Sequence, residues 1–372
     1  MSPHGSIPAD VVNLRDYEAH AHARLDAAAW AYLHGGAADG LTLAENVDAW
    51  SRLKLHPRVL RPLAGGHTRL ELLGRTLAHP VMLAPVAYQK LAHPDGELAT
   101  AYAAAAQEAG IILSTQSSIL LEHVAQAIAQ EPGRGPLWMQ LYVQNDRGFT
   151  RELIQRAEQA GYEALVITVD APTSGARDME RRHGFQLPPG IGAVNLVGMT
   201  PPPQATLPTL HTGQSALFDG LLTHAITWDD IAWLQSQTRL PVLLKGVLHE
   251  DDARQAAKLG VQGLVVSNHG GRTLDTAVST AWALPRIVDA VGTQLPVLVD
   301  GGIRRGTDVL KAVALGARAV LIGRPYVHAL ATAGALGVAH AIRLLRDELE
   351  IAMALTACAT LADISPDLII QP

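Results

Sequence analysis

The chain has 372 residues, 48% of them hydrophobic, and a formal charge of −6 from 29 basic and 35 acidic side chains. That length and apolarity can bury one large core or two ordinary ones, and the mild acidity excludes a basic nucleic-acid footprint. Its single cysteine, Cys358, excludes a disulfide within the chain and fits a reducing compartment.

The N-terminal stretch MSPHGSIPAD has no basic segment followed by an apolar one, so no secretory signal is read there. No uninterrupted apolar run approaches the roughly 20 residues of a spanning helix, and the ending IIQP is not a peroxisomal address. A soluble, cytoplasmic protein without membrane or nucleic-acid partners is expected. Eight short apolar runs then follow in chain order: PVMLAP (80–85), GIILST (110–115), LWMQLY (137–142), ALVITVD (164–170), PVLLKG (241–246), GLVVSN (263–268), PVLVDGG (296–302) and AVLIGR (319–324). Continuous rather than alternating apolarity suits strands covered on both faces, as in a parallel sheet. Between them lie DGELATAYAAAAQEAG, DRGFTRELIQRAEQAG, HEDDARQAAKLG and RRGTDVLKAVALG. Each opens on acidic or turn residues and closes on glycine, the start and stop signals of helices.

Eight β-then-α units predict an α/β fold, a (β/α)8 TIM barrel over about 80–345. An N-terminal helical cap precedes it, and a helix around VAHAIRLLRDELEIAMAL follows, all within one domain spanning 1–372. One connection breaks the rhythm. After strand 4 the chain runs through about 187–220, rich in proline and glycine, before the next helix signal. So long a loop at the strand-end face reads as a lid over a site. No metal-ligand spacing stands out; His20-x-His22 reads as a solvated helical pair and Cys358 as a small core residue.

In such barrels the reacting groups sit at the C-terminal ends of the strands. Strand 3 ends in Gln140 and Tyr142, and strand 4 in Thr168 and Asp170 with Arg177 beyond. Strand 5 ends in Lys245, strand 6 in Ser267, Asn268 and His269 with Arg272 beyond. Strand 7 ends in Asp300, Gly301 and Gly302 before Arg304, and strand 8 in Gly323 and Arg324. Any one of these alone is an ion pair or a cap; stability gives no reason to gather all of them on one rim. The glycine-rich turns after strands 7 and 8, with their arginines, form an anion cradle for a phosphorylated ligand. His269 suits a base near neutral pH, held by Asp170. Arg272 and Arg177 suit a bidentate grip on a carboxylate. Lys245 fits either a Schiff-base lysine or a fixed cation beside an electron-rich ring.

The segments AYLHGGAADGLTLAENVDAW (31–50), PVMLAPVAYQKLAHPDGE (80–97), MQLYVQNDR (139–147), ITVDAP (167–172), VVSNHGGRTLD (265–275), LVDGGIRRGTDVLKAVALG (298–316) and IGRP (322–325) carry a further signal. Together they resemble the FMN-dependent L-2-hydroxy-acid oxidase/dehydrogenase family, which includes glycolate oxidase, lactate oxidase, flavocytochrome-type lactate dehydrogenase and mandelate dehydrogenase. The resemblance implies oxidation of a 2-hydroxy acid to the 2-oxo acid, with His269 taking the substrate proton beside Asp170. It implies that Tyr32, Arg177 and Arg272 hold the carboxylate and Tyr142 the hydroxyl. FMN would lie against the backbone of Ala84, Pro85, Val86 and Ala87 and bond Ser114, Gln140, Thr168 and Ser267. Lys245 would stand at its electron-rich edge, and Asp300, Gly301, Gly302, Arg304, Gly323 and Arg324 around its ribityl phosphate.

Gln116 stands where several members carry an aromatic residue, and Thr173 and Ser174 are smaller than their glycolate oxidase counterparts. With Gln116 counted among the substrate contacts, the pocket is expected to take a side chain larger than that of glycolate. O2 is the expected acceptor, giving hydrogen peroxide; a quinone or cytochrome acceptor is the alternative. A non-redox barrel enzyme, an isomerase or a Lys245 aldolase, is the reading from another class. The resemblance also implies a homo-oligomer, a tetramer or octamer.

Overall fold

The computed structural model describes residues 6–198, 213–220, 222 and 225–370. Eight parallel strands close into a barrel: β1 (Val81–Leu83), β2 (Gly110–Leu113), β3 (Leu137–Leu141), β4 (Leu165–Thr168), β5 (Val242–Val247), β6 (Gly263–Val266), β7 (Val297–Val299) and β8 (Ala319–Ile322). Each pairs with the next in chain order, and β8 returns to β1 with Val320 opposite Val81. Seven lie inside the apolar runs read from the sequence, and β5 overruns its run by one residue, Val247. Seven of the strands are shorter than their runs because the last residues of those runs leave the ladder to face the barrel mouth.

Side chains on a strand alternate between its two faces. Met82, Ile112, Trp138, Val166, Leu243, Val265, Leu298 and Leu321 form one apolar cluster inside the barrel. Val81, Leu83, Ile111, Leu113, Leu165, Ile167, Val242 and Leu244 belong to the other cluster, between strands and helices. A hairpin pairing Leu70–Leu72 with Arg75–Leu77 lends Leu72 and Leu77 to the inner cluster. Two residues beyond the inward apolar layer stand Ala84, Ser114, Gln140, Thr168, Lys245, Ser267, Asp300 and Gly323. The inward face therefore turns from apolar to mostly polar within one step of the pleat, and that step puts the site at the C-terminal mouth.

Three helices form the N-terminal cap: α1 (Asp16–Arg24), α2 (Ala27–His34) and α3 (Leu41–Arg52). Asp26 caps α2 by accepting from Ala29 N at 2.8 Å. Around the barrel follow α4 (Gly96–Ala106), α5 (Leu121–Ile128), α6 (Arg147–Gln159), the short α7 (Asp178–Arg182), α8 (Trp228–Ser236), α9 (Glu250–Leu259), α10 (Thr280–Val291) and α11 (Gly306–Ala314). Asp146 caps α6 through Gly148 N and Phe149 N, and Gly260 ends α9 at φ +77°. The last helix, α12, starts well before the predicted C-terminal segment and runs Arg324–Leu355 with a break at Ala333 and Gly334. Pro325 at its first turn is tolerated there because the missing N–H has no helical partner to lose. It packs on α1, α4 and α11. Although long and apolar enough to cross a membrane by length and composition, two thirds of its most apolar window is buried within the protein. Cys358 is buried and unpaired.

Much of the loop expected as a lid, 199–212, lies outside the described residues. Its first part is tied to the barrel by the buried Asn195, which accepts from Leu121 N at 2.9 Å and donates to Ser117 Oγ at 2.9 Å.

Candidate active site

The mouth of the barrel opens into a cavity of about 600 Å³, a size that suits a cofactor and a small substrate together. The residues read from the sequence as site residues line it, with two exceptions: Asp170 and Ser267 stand behind the wall. Asp170 Oδ1 lies 2.9 Å from His269 Nδ1, and Ser267 Oγ accepts from Lys245 Nζ at 2.8 Å and from His269 N at 3.0 Å. Both act by positioning a side chain that does face the cavity.

His269 follows β6 at φ +57°, a left-handed conformation uncommon for a residue with a side chain. Two close approaches hold that turn. Gly271, at φ +70°, passes so near α3 that a Cβ would lie 2.6 Å from Leu43 N. Asn268 and Asn46 of α3 exchange two side-chain hydrogen bonds of 2.8 Å. On the other side Gly246, at φ +112°, leaves room for Asp170, whose Cβ would be 2.5 Å from any side chain added there. The imidazole therefore has Nδ1 fixed on Asp170 and Nε2 toward the cavity, 3.5 Å from Tyr142 Oη. Burial pushes the His269 pKa below its usual 6.5, against the upward pull of Asp170, so the ring is a neutral base at pH 7. Burial would raise the Asp170 pKa, but the imidazole contact and the Lys245 charge outweigh it and keep the carboxylate ionised. Burial also lifts the Tyr142 hydroxyl to about 12, so it stays a donor.

Lys245 is buried, with Nζ 2.9 Å from Asp300 Oδ2. Burial alone would lower its pKa; Asp300 and Asp170 overcome that and raise it. A permanent ammonium is a poor nucleophile, which argues against the Schiff-base aldolase reading. Gln140 bridges its neighbours, accepting from Ser114 Oγ at 3.3 Å and Thr115 N at 3.1 Å and donating to Thr168 Oγ1 at 3.0 Å. Ala84 O accepts from Tyr326 Oη at 2.9 Å, which fixes the backbone of 84–87 along one wall.

Arg272 donates to the carbonyls of Tyr32 and Gly35 at 2.7 and 2.9 Å and lies over the Tyr32 ring. Arg177, its pKa lowered to about 10 by burial and by Arg272, has a buried Nε with no partner. Tyr32, Tyr88, Gln116, Thr173 and Ser174 line the same region. Arg324 donates to the carbonyls of His34, Gly35 and Gly270. The Arg304 guanidinium reaches only the Ile303 carbonyl among the described residues. Neither makes an ion pair among the described residues, and burial lowers the pKa of both.

The model of the FMN-dependent dehydrogenase family matches residues 21–371. The chain belongs to the FMN-dependent dehydrogenase family. An L-lactate oxidase from Roseobacter sp. (strain GAI101) is 50% identical over 96% of this chain and 94% of its own. A glycolate oxidase from Spinacia oleracea is 41% identical over 96% and 95%. A solved mandelate oxidase mutant with (S)-mandelic acid superposes at a TM-score of 0.84, with 41% identity over 94% of this chain and 96% of that one. Another mandelate oxidase structure carries a C4a-OH-FMN adduct. The activity is FMN-dependent oxidation of 2-hydroxy acids.

The residues of this flavoenzyme fit the cofactor. Two part-buried guanidiniums with no ion pair among the described residues, Arg304 and Arg324, ask for an anion such as its phosphate. Asp300 Oδ1 is buried without a partner. A side chain added at Gly323 would meet nothing closer than 3.9 Å, so that glycine opens onto the cavity. Arg304→Met is expected to weaken FMN binding roughly 10- to 100-fold while leaving the apoprotein as stable as before or more so, because it removes a charge that burial disfavours and no ion pair holds. Fluorescence titration of FMN and melting of the apoprotein measure the two effects; an apoprotein that melts markedly lower would overturn the argument.

Two residues escaped the sequence reading. Asn46 lies within the quoted 31–50 segment, but only the fold brings it to Asn268. Glu180 of α7 lines the cavity, its Oε1 3.4 Å from Arg177 and 3.5 Å from Arg272. It already engages the two arginines that an incoming carboxylate would pair with. Glu180→Gln is expected to tighten binding of an inhibitory substrate-like carboxylate such as oxalate roughly 3- to 10-fold, the effect of removing one charge some 7 Å away at an intermediate dielectric. Weaker binding in that variant would show that Glu180 orients the pair instead of competing for it.

Proposed function

We propose that the enzyme oxidises small L-2-hydroxy acids, L-lactate foremost, to 2-oxo acids and passes the electrons to O2, forming hydrogen peroxide. The observation that carries this reading is the line from Asp170 through His269 to Tyr142, ending in a cavity beside Arg177 and Arg272. The arginine pair binds the carboxylate, and Tyr142 donates to the oxygen on the neighbouring carbon. His269 accepts the substrate proton at Nε2, and Asp170 stabilises the resulting imidazolium. FMN held by these residues would supply the two-electron chemistry, accepting two electrons and the second proton of the substrate, and O2 would be reduced by those two electrons with that proton and the one from His269 to give hydrogen peroxide. Lys245 holds a positive charge where the cofactor becomes electron-rich.

The preference for lactate rests on the 47–50% identity to L-lactate oxidases, against 41–43% to glycolate oxidases. The small Thr173 and Ser174 leave room for a methyl group or more. O2 as acceptor rests on the same oxidase relatives. A symmetric homo-oligomer and a cytoplasmic location complete the proposal, the second supported by the lone unpaired cysteine. Peroxide release from the yellow holoprotein, measured over glycolate, both lactate enantiomers, 2-hydroxyoctanoate and (S)-mandelate, tests it. L-Lactate is expected to give the highest kcat/KM. Bleaching without peroxide would replace O2 by another acceptor, and no bleaching with any acid would end the proposal.

A further inference from the structure

Outside the cavity, beside the arginines of its rim, helices α1, α2 and α12 each bring one potential metal ligand to a common point. Glu18, His34 and His328 each offer one ligand atom, and these three atoms lie within 4.8 Å of one another. Glu18 Oε1 is 3.9 Å from His34 Nε2, too far for a hydrogen bond. His328 is only 2% exposed, yet its Nε2 has no partner; the buried Nδ1 of His34 has none either. An unmet ring nitrogen in a packed interior is costly, and the one on His328, beside a second imidazole and a carboxylate, needs an explanation.

We propose that Glu18, His34 and His328 form a binding site for one divalent transition-metal ion, Zn2+ foremost. Two imidazoles and a carboxylate are the donor set of such an ion, whereas Ca2+ and Mg2+ call for oxygen alone. Trp30 fixes the two rings, stacking on His34 at 4.3 Å and on His328 at 5.3 Å, and the two imidazole centroids are 5.5 Å apart. Bonds of about 2.1 Å in a tetrahedral site place ligand atoms roughly 3.4 Å apart. The set therefore has to contract, and Glu18, 46% exposed on its side chain, is free to move inward. Solvent supplies the remaining ligand on that open side. Arg304 and Arg324 lie near and oppose a second positive charge. The anion that these arginines hold in the holoprotein offsets them.

The site has a structural consequence. The carbonyl of His34 accepts from Arg324 Nε at 2.8 Å. An ion across His34 and His328 would clamp the N-terminal cap to the last helix, next to the phosphate cradle. The sequence hid this site because its ligands come from three helices spread from residue 18 to residue 328 and follow no short spacing.

The test uses untagged holoprotein, stripped with chelator, dialysed against ZnCl2 and assayed for metal by emission spectrometry. One equivalent of zinc per chain is expected, with a rise in melting temperature on binding. Glu18→Gln changes a half-exposed side chain and His34→Ala a mostly buried one, and each is expected to weaken zinc binding by at least about 10-fold and remove the melting shift. His328→Ala is expected to abolish binding, and Co2+ in place of Zn2+ gives visible bands beyond the flavin absorption that disappear in the same variants. Absence of stoichiometric zinc, or equal zinc in wild type, His34→Ala and Glu18→Gln, would overturn the proposal.

Discussion

His269→Gln is expected to lower turnover roughly 10²- to 10⁴-fold, the range of a positioned general base, while FMN stays bound. The imidazole is on the path of the proton and not among the groups that hold the phosphate. Stopped-flow bleaching with L-lactate measures the loss, and the flavin spectrum of the purified variant reports retention. A variant that still bleaches at the wild-type rate would move the base elsewhere. The pH profile follows from the same environment. Burial holds the folded pKa below 6.5, so the acid limb of kcat/KM lies below that value. Asp170 opposes the shift, so Asp170→Asn is expected to displace the limb further toward acid as well as lower the rate. Stability runs the same way: below pH 6.5 the unfolded chain binds a proton at this position before the folded one does, and the folded state weakens as pH falls.

The barrel was legible because its cause is local. Runs such as 137–142 and 296–302 are apolar on both faces, and each is followed by a helix with its own start and stop residues. The site was legible for a related reason. In a closed ring of parallel strands, every strand end is brought to one rim, so a list of strand ends is nearly a list of site residues. Asp170 and Ser267 mark the limit of that list: they sit at strand ends, yet face the backs of His269 and Lys245 rather than the cavity. Glu180, Asn46 and the Glu18/His34/His328 cluster mark another. Their partners are up to hundreds of positions away and are fixed by how helices dock on the barrel. The early start of α12 was missed because GRP reads as a turn, and its helical φ/ψ values emerge only where Pro325 begins a helix against the barrel.

Lys245→Met is expected to affect both stability and chemistry. Lys245 Nζ and Asp300 Oδ2 are 2.9 Å apart in a region almost closed to water. Removing one member of such a pair leaves the other charge uncompensated, a loss of about 3–5 kcal/mol. Asp300 is poorly placed to recover, since its Oδ1 already lacks a protein partner. Ser267 Oγ, which now accepts from Lys245 Nζ, can turn toward the carboxylate and recoup a small part. Chemical denaturation of the apoprotein reads this loss free of cofactor binding. Lys245→Met with Asp300→Asn removes both charges, and the double variant is expected to be more stable than Lys245→Met alone, with a coupling of roughly 0.5–3 kcal/mol. The two roles separate in that double variant. If the ammonium also stabilises the reduced cofactor, the flavin potential stays below that of the wild type even where folding has been restored. A double variant with wild-type stability and wild-type potential would reduce Lys245 to a partner for Asp300.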